Sequence, residues 1–530
     1  MGENSRQNYS SSNKTHRRGE EAVSLHNIIP VHILGAEVFC HLNARDSYVA
    51  RAVCKEWRET LSTCCDWKKH YASLWKMPIE RSLYAVHQGD MSTKIGDGAF
   101  WRELFDYKYR QMMGLYYRPE RCTLYGHSSG VKAVKLCPGY DKLLTGSVDR
   151  RMICWDAQYF SYCGVSESHG GTVRSIALDD EVLVTGSTDH RIRVWRKRRD
   201  EQNASPLLPR GDERQRLVRD DWDAMVMRDT DSKMSEIFSD SKPHSRQSLN
   251  SDFPFDIASN DDREVLVSGH SGPVSCLALT DAAIFSGSWD YSVRVWDKHD
   301  LHDIHCVQVL HFDDWVLDMK RTRNHERLHV ASGFNIHQVD LGKGEARVIG
   351  SMKHDVANET APVTSLVNSE DGHSVYYGSG DGYIYSLDMR CRHQRSVPPF
   401  DCSLLAGSGR GGRNTLNRTS VTGISFEYPW IASSMNTGEV ILLNIEDMVR
   451  GTNSKKGTSR VLRHGSGIGA HCVDIAEARI AAGFEDGTVL TWDFSRAEEA
   501  AHKLVMVRQR KRDAKQQRRK QIASSTSRRS

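Results

Sequence analysis

Residues 124–156, LYGHSSGVKAVKLCPGYDKLLTGSVDRRMICWD, decide the architecture because they recur. SHGGTVRSIALDDEVLVTGSTDHRIRVW (168–195) and SGHSGPVSCLALTDAAIFSGSWDYSVRVWD (268–297) repeat the same landmarks. A His opens each unit (His127, His169, His270), and an Asp stands six residues before a Trp (Asp149/Trp155, Asp189/Trp195, Asp290/Trp296). Four residues before each Asp lies a hydroxyl: Thr145, Thr185 and Ser286. Apolar and polar residues alternate between these landmarks, with Gly-Ser turns, as short half-buried antiparallel strands require.

The spacing continues in weaker form. Asp486/Trp492 keeps the six-residue step in AAGFEDGTVLTWDF, and Asp381/Leu387 keeps it in GSGDGYIYSLDM. HCVQVLHFDDWVLDMKRTRNHERLHVASGFNIHQVDL (305–341) and VTGISFEYPWIASSMNTGEVILLNIED (421–447) retain only the strand alternation. Seven units result, at about 45 residues each once the non-repetitive stretch 197–262 is set aside, which is the size of a four-stranded propeller blade. The chain resembles the WD-repeat family, and the resemblance implies an all-β seven-bladed propeller over residues 114–495. It also implies that the His, Ser/Thr, Asp and Trp of each unit form a hydrogen-bonded structural tetrad. A buried Asp needs donors, and a His and an indole N–H supply them. In this family the ring closes when the strand before the first repeat joins the last blade, so RCTLYG should pair beside TVLTWDF.

In the same family, partners sit at the mouth of the central channel, on residues just after the first apolar residue of each inner strand. Here these are Lys132, Arg174, Ser275, Thr364, Thr422 and His471, with Thr188 and Trp289, before the turn Asp, nearby. Lys132 and Arg174 fall in successive blades, which suits a phosphorylated or acidic peptide.

A second signal lies at 25–75, LHNIIPVHILGAEVFCHLNARDSYVARAVCKEWRETLSTCCDWKKHYASLW. Its apolar residues recur at three- and four-residue steps, the signature of small amphipathic helices, with Pro30 in a first turn and Asp46 as a cap. Ile29-Pro30, Ile33-Leu34, Phe39, Leu42, Val53, Cys54, Lys55 and Trp57 make this segment similar to an F-box. It departs from that pattern in having Ile29 for a first Leu, one extra residue before Phe39, and Ser47 where Leu is preferred. The fold class expected is therefore a small α-helical F-box module followed by the propeller. The resemblance implies docking of a helical face onto a Skp-type adaptor, and through it onto a cullin–RING ligase.

Around these units, residues 1–24 read as disordered and 76–113 as a helical link. The stretches 197–262 and 391–418 read as loops of the propeller, the first Ser/Asp-rich and mostly disordered. Residues 496–530 read as a helix-forming tail with a local charge of +9, which leaves about −5 on the rest of a chain whose total is +4. That tail could serve nuclear import; nucleic-acid contact is the lesser expectation. Gly407, Gly409 and Gly412 match GxGxxG, but a proline pair precedes them and no helix follows, so no dinucleotide site is read.

The 530 residues are 38% hydrophobic and 26% charged, a soluble globular composition. Thirteen Cys without a CxxC pair suggest reduced thiols and no zinc site. The N-terminus lacks the apolar core of a secretory signal, and no apolar run of about 18 residues occurs, so a nuclear or cytoplasmic protein without membrane contact is expected. No catalytic residue, metal ligand or cofactor motif is read. The function implied is that of a non-catalytic substrate receptor of an SCF-type ubiquitin ligase, the propeller holding a protein substrate. The alternative is a WD-repeat scaffold of a nuclear chromatin- or RNA-associated complex.

Overall fold

Alternating segments of four to seven residues fold into seven four-stranded antiparallel sheets in the computed structural model. The residues described are 39–75, 101–115, 119–197, 255–257, 264–299, 304–322, 327–342, 345–353, 361–369, 372–390, 397–402, 419–445, 459–465 and 467–495, with single gaps in several of these. They fall into two compact units, divided near residue 110.

In the larger unit the innermost strands are Val131–Cys137, Val173–Leu178, Val274–Leu279, Val316–Arg321, Val363–Asn368, Val421–Glu427 and Ala470–Ala476, for blades 1 to 7. Each touches the next and the seventh touches the first, which makes a closed ring. Blade 7 takes its outermost strand from the front of the chain. Glu120–Leu124 pairs with Val489–Asp493, in the register Glu120↔Asp493 to Leu124↔Val489. The expected closure is present, and it removes the free edges that an open array would expose.

Blades lock together through a small residue facing a branched one. A Cβ on Gly146 of blade 1 would lie 2.6 Å from Val173 Cγ1 of blade 2, and one on Gly483 of blade 7 would lie 2.5 Å from Val131 Cγ1 of blade 1. Gly186/Val274, Gly287/Val316 and Gly378/Val421 repeat the arrangement. Blade 6 has Ser434 at the glycine position, and the residue it would crowd in blade 7 is Ala470 rather than Val. The glycine thus faces the neighbouring blade's valine in five of the seven blades, and blade 4 departs by setting Ala331 against Val363 of blade 5. Carboxylates add a second set of ties. Asp318 of blade 4 accepts from Ser365 Oγ (2.8 Å) and Leu366 N (3.0 Å) of blade 5. Asp474 of blade 7 accepts from Leu136 N of blade 1 (2.8 Å) and Ser425 Oγ of blade 6 (2.7 Å).

The tetrad closes in blades 1 and 3, and its His–Asp and His–Thr bonds recur in blade 2. His127 Nδ1 lies 2.7 Å from Asp149 Oδ2, its Nε2 2.8 Å from Thr145 Oγ1, and Trp155 Nε1–H donates to Thr145 Oγ1 at 2.9 Å. His270, Asp290, Ser286 and Trp296 repeat this at 2.7–2.8 Å. In blade 2, His169 bridges Asp189 (3.3 Å) and Thr185 (2.8 Å) above a buried Trp195. The residue after each tetrad Asp is left-handed although it is not glycine: Arg150 (φ 72°), His190 (φ 71°) and Tyr291 (φ 66°). Blades 5, 6 and 7 place Gly382, Gly438 and Gly487 in that conformation. Such a backbone costs about 1–2 kcal/mol for an ordinary residue, and the Asp pins it by accepting from the amide two residues on, Arg151 N at 3.1 Å in blade 1.

Weak blades replace the tetrad with other contacts. Phe312 packs on His337 at 4.9 Å in blade 4, and Tyr385 Oη–H donates to Asp381 at 2.7 Å in blade 5. In blade 7, His464 Nε2 reaches Thr488 Oγ1 at 3.1 Å beside Asp486. The first insertion is anchored at its far end: Phe255 is 2% exposed and Ile257 is buried, both packed with Cys137, Leu144, Cys154 and Trp195 across blades 1 and 2. Most of the stretch 197–262, most of the loop 391–418 and the tail 496–530 lie outside the described residues.

The smaller unit holds helices α1 (Ala44–Ala50), α2 (Lys55–Cys64) and α3 (Trp67–Trp75). Its core is Phe39, Leu61, Trp67, Tyr71, Trp101, Phe105 and Tyr109, so residues 101–109, read as part of a link, pack within this unit. Arg51 pairs with Asp106 and lies 5.0 Å over the Trp67 ring. Asp46 is not the cap expected of it: α1 starts at Ala44, and Asp46 sits in its first turn. Asp66 caps α3 instead, accepting from Lys69 N at 3.0 Å. Ser47, where an apolar residue is usual, is fully buried and meets His70 Nε2 at 3.3 Å.

Two outcomes follow from this packing. Gly146→Ala should cost about 1–3 kcal/mol by overpacking against Val173. Adding Val173→Ala, the small-residue solution of blades 6 and 7, should recover about 1 kcal/mol relative to the summed single variants, as a urea-denaturation double-mutant cycle would show. Acid should weaken the ring through the tetrads. Burial opposes ionisation of Asp149 and Asp290, but hydrogen bonds, from His127 to the first and from Ser292 and His270 to the second, hold both carboxyls below their ordinary value. Their stabilisation is complete above the unfolded carboxylate pKa of about 3.9 and is lost as pH falls through the lower folded values. Asp149→Asn should flatten the slope of stability against pH below about 4.

Candidate functional site

A β-bulge recurs at one position of every inner strand. Pairing with the second strand skips from the first residue to the third in all seven blades. The skipped residues are Lys132, Arg174, Ser275, Leu317, Thr364, Thr422 and His471. A bulge takes a side chain out of the ladder and re-aims it. Six of the seven are the residues read from the sequence as channel-mouth positions. Leu317 was missed because its blade lacks the Asp and Trp landmarks, although Val316 marks the same first apolar position.

The set divides by chemistry. Ser275 Oγ reaches the Val316 carbonyl at 2.5 Å, Thr364 Oγ1 the Val421 carbonyl at 2.8 Å and Thr422 Oγ1 the Ala470 carbonyl at 2.7 Å. In each case the acceptor is the first residue of the next blade's inner strand, so these hydroxyls stitch blade to blade. Thr188 Oγ1 is likewise occupied, accepting from Thr172 N at 2.8 Å within blade 2.

The remaining positions form a cationic and aromatic arc over blades 7, 1, 2, 3 and 4. Lys132 Nζ lies 2.9 Å from His471 Nε2, across the seam where the ring closes. The ammonium can donate only to an unprotonated Nε2. Burial pushes His471 below its ordinary pKa, with Lys132 and Arg174 acting in the same direction and Glu485 opposing. Lys132 is lowered by burial and by Arg174, against Cys472 and Glu485. The Arg174 guanidinium sits 4.9 Å over the Trp289 ring, which stacks on Trp315 at 5.3 Å and 19°. Trp289 Nε1–H is buried without an acceptor, and Trp315 is 47% exposed. Among the described residues, neither Lys132 nor Arg174 forms a salt bridge. Two cations on adjacent blades beside an unprotonated imidazole favour an anionic group, and the indole pair offers a flat apolar surface next to them.

Among the described residues no group of three His, Cys, Asp or Glu could hold a metal ion, and no helix is long and apolar enough to cross a membrane. In the smaller unit, Phe39 is buried and meets Trp57 edge-on at 5.0 Å, Leu42 is half-buried, and Val53 is 62% exposed. Phe39 thus belongs to the core of its unit rather than to its surface. Ile29, Pro30, Ile33, Leu34 and Cys54 lie outside the described residues.

Comparison with known proteins agrees with the blades. Residues 119–156, 161–196 and 262–297 match the WD domain, G-beta repeat model. An F-box/WD-40 repeat-containing protein of Arabidopsis thaliana is 26% identical over 447 residues, 82% of this chain and 68% of that protein. Mitochondrial division protein 1 of Mycosarcoma maydis is 23% identical over 55% of this chain and 34% of its own length. Ribosome biogenesis protein YTM1 of Coccidioides immitis is 27% identical over 50% of this chain and 51% of its own length. The chain thus spans only a third to a half of these two fungal relatives.

The Lys132–His471 contact can be checked directly. By NMR titration the His471 ring should take up its proton below the ordinary histidine pKa of about 6.5, and Lys132→Met should move that midpoint upward.

Proposed function

We propose that this WD-repeat protein is a substrate receptor of an SCF-type ubiquitin ligase, its N-terminal helical unit docking a Skp-type adaptor and its propeller holding a protein substrate. The similarity to the Arabidopsis F-box/WD-40 repeat-containing protein carries the reading, because it extends over 82% of the chain, more than the propeller accounts for. Val53, exposed between α1 and α2 within the VCKEWR stretch, supplies part of the adaptor-facing surface. The chain contributes no bond-making group. Its role is to bring a substrate lysine near a charged conjugating enzyme held elsewhere in the assembly, and the rate gain is one of proximity.

The channel-mouth arc gives this receptor its ligand class. Lys132 and Arg174 take an acidic or phosphorylated side chain, and Trp289 with Trp315 takes an adjacent aromatic or aliphatic one. Ser275, Thr364, Thr422 and Thr188 act behind that surface by holding the blades in place. A second reading, a scaffold of a nuclear assembly, draws on the match to YTM1 over half of the chain.

Full-length protein should co-purify with the adaptor and a cullin, and removal of residues 25–75 should abolish both. Lys132→Glu/Arg174→Glu should keep the adaptor while weakening substrate binding at least tenfold, about 1.4 kcal/mol. Equal adaptor recovery with and without residues 25–75 would overturn the receptor reading and leave the scaffold.

A further inference from the structure

Two thiols face each other on the outer half of blade 1, away from the channel mouth. Cys154 lies on the strand Met152–Asp156 and Cys163 on its neighbour Tyr162–Val165. Pairing runs Cys154↔Gly164 and then Trp155↔Tyr162, so Cys163 is an extra residue, bulged opposite this pair. The bulge sets Cys163 against the packed cluster that holds Cys154. Cys154 is fully buried, whereas Cys163 is partly exposed, so one sulfur is accessible and the other waits behind it. The charged groups facing the pair are the Lys142 ammonium and its partner Asp156, 2.9 Å apart. Ile257, from the anchored end of the insertion, packs over Gly164, next to Cys163.

We propose that Cys163 and Cys154 form an oxidisable pair in which a hydroperoxide oxidises Cys163 and Cys154 then closes a cross-strand disulfide. In the first step the Cys163 thiolate attacks one peroxide oxygen. The O–O bond breaks, an S–O bond forms, and the peroxide leaves as an alkoxide or hydroxide that takes a proton from water. Sulfur is oxidised by two electrons to a sulfenic acid, and the peroxide is reduced by two. In the second step the Cys154 sulfur attacks the Cys163 sulfur; the S–S bond forms, the S–O bond breaks, and hydroxide leaves with the Cys154 proton as water.

The local chemistry supports this division of roles. The neighbouring Cys154 thiol holds Cys163 below the ordinary thiol value, with Lys142 assisting and burial and Asp156 opposing. Cys154 is raised by its neighbour Cys163 and by burial, so it keeps its proton until the second step. The nearby Cys137 is pushed up to about 12 by burial and stays outside the reaction.

The test uses the full chain, reduced, at pH 7. Iodoacetamide should alkylate Cys163 faster than the partly exposed Cys122 and Cys306, read by peptide mass spectrometry. Hydrogen peroxide should then join the Cys154 and Cys163 peptides with loss of two hydrogens. Cys163→Ser should abolish the link and leave Cys154 unoxidised. Cys154→Ser should leave Cys163 as a sulfenic acid trapped by dimedone, and if that variant fails to fold, the Cys163→Ser result decides alone. Alkylation of Cys163 at the rate of the other two thiols, together with no linked peptide, would overturn the proposal, as would a link that survives Cys163→Ser.

Discussion

Each blade of this ring is held by a contact it does not own. The valine that begins an inner strand, Val173 or Val316, fits only because the preceding blade has no side chain at Gly146 or Gly287. The constraint passes from sheet to sheet and returns through Gly483 to Val131, so the order of blades and their close approach are one property. Blade 6 shows that volume is what is regulated, since Ser434 replaces the glycine and Ala470 replaces the valine. Closure by Glu120–Leu124 and the reach of Asp474 into blades 1 and 6 act on a ring already brought to the right circumference.

Much of this was legible in the chain. Three tetrads, seven units and the closing strand could all be read because each depends on residues at fixed local spacing. What could not be read depends on which neighbour a residue meets. Tyr385 hydrogen-bonding Asp381, Phe312 lying on His337 and His464 reaching Thr488 are local solutions in blades that lost their landmarks, and no spacing announces them. The bulged positions were legible in six blades, but the use made of Ser275, Thr364 and Thr422 was not. Their hydroxyls meet a carbonyl of the following blade, a partner visible only once the ring is built. The capping role read for Asp46 failed because α1 starts two residues earlier. The anchoring of the first insertion by Phe255 and Ile257 was hidden because two apolar residues in a polar stretch carry no periodicity.

The candidate site owes its polarity to that same division. Hydroxyl pins occupy blades 3, 5 and 6, whereas the cations stand in blades 1 and 2 beside the imidazole of blade 7, and the paired indoles belong to blades 3 and 4. A ligand lying across the mouth would meet positive charge at one end and a flat aromatic surface at the other, so its direction along the mouth is set as well as its charge. The arc also straddles the closing seam between blades 7 and 1, where Lys132 meets His471. Occupancy of the site and integrity of the closure are therefore physically adjacent.

The left-handed turns carry a consequence for how such a ring can diversify. In blades 5, 6 and 7 the turn is glycine, and Cβ atoms there would lie 2.2–2.7 Å from backbone carbonyls. Those three turns cannot acquire a side chain. In blades 1, 2 and 3 the same conformation carries Arg150, His190 and Tyr291; since Asp381 and Asp486 make the equivalent amide bond in blades 5 and 7, the Asp alone does not decide which residue stands there. Mutational drift can therefore rewrite the rim of the first three blades without disturbing the frame, while the later three are frozen as bare backbone. The room left beside each turn, set by the neighbouring backbone, spreads the capacity for new specificity unevenly around the ring.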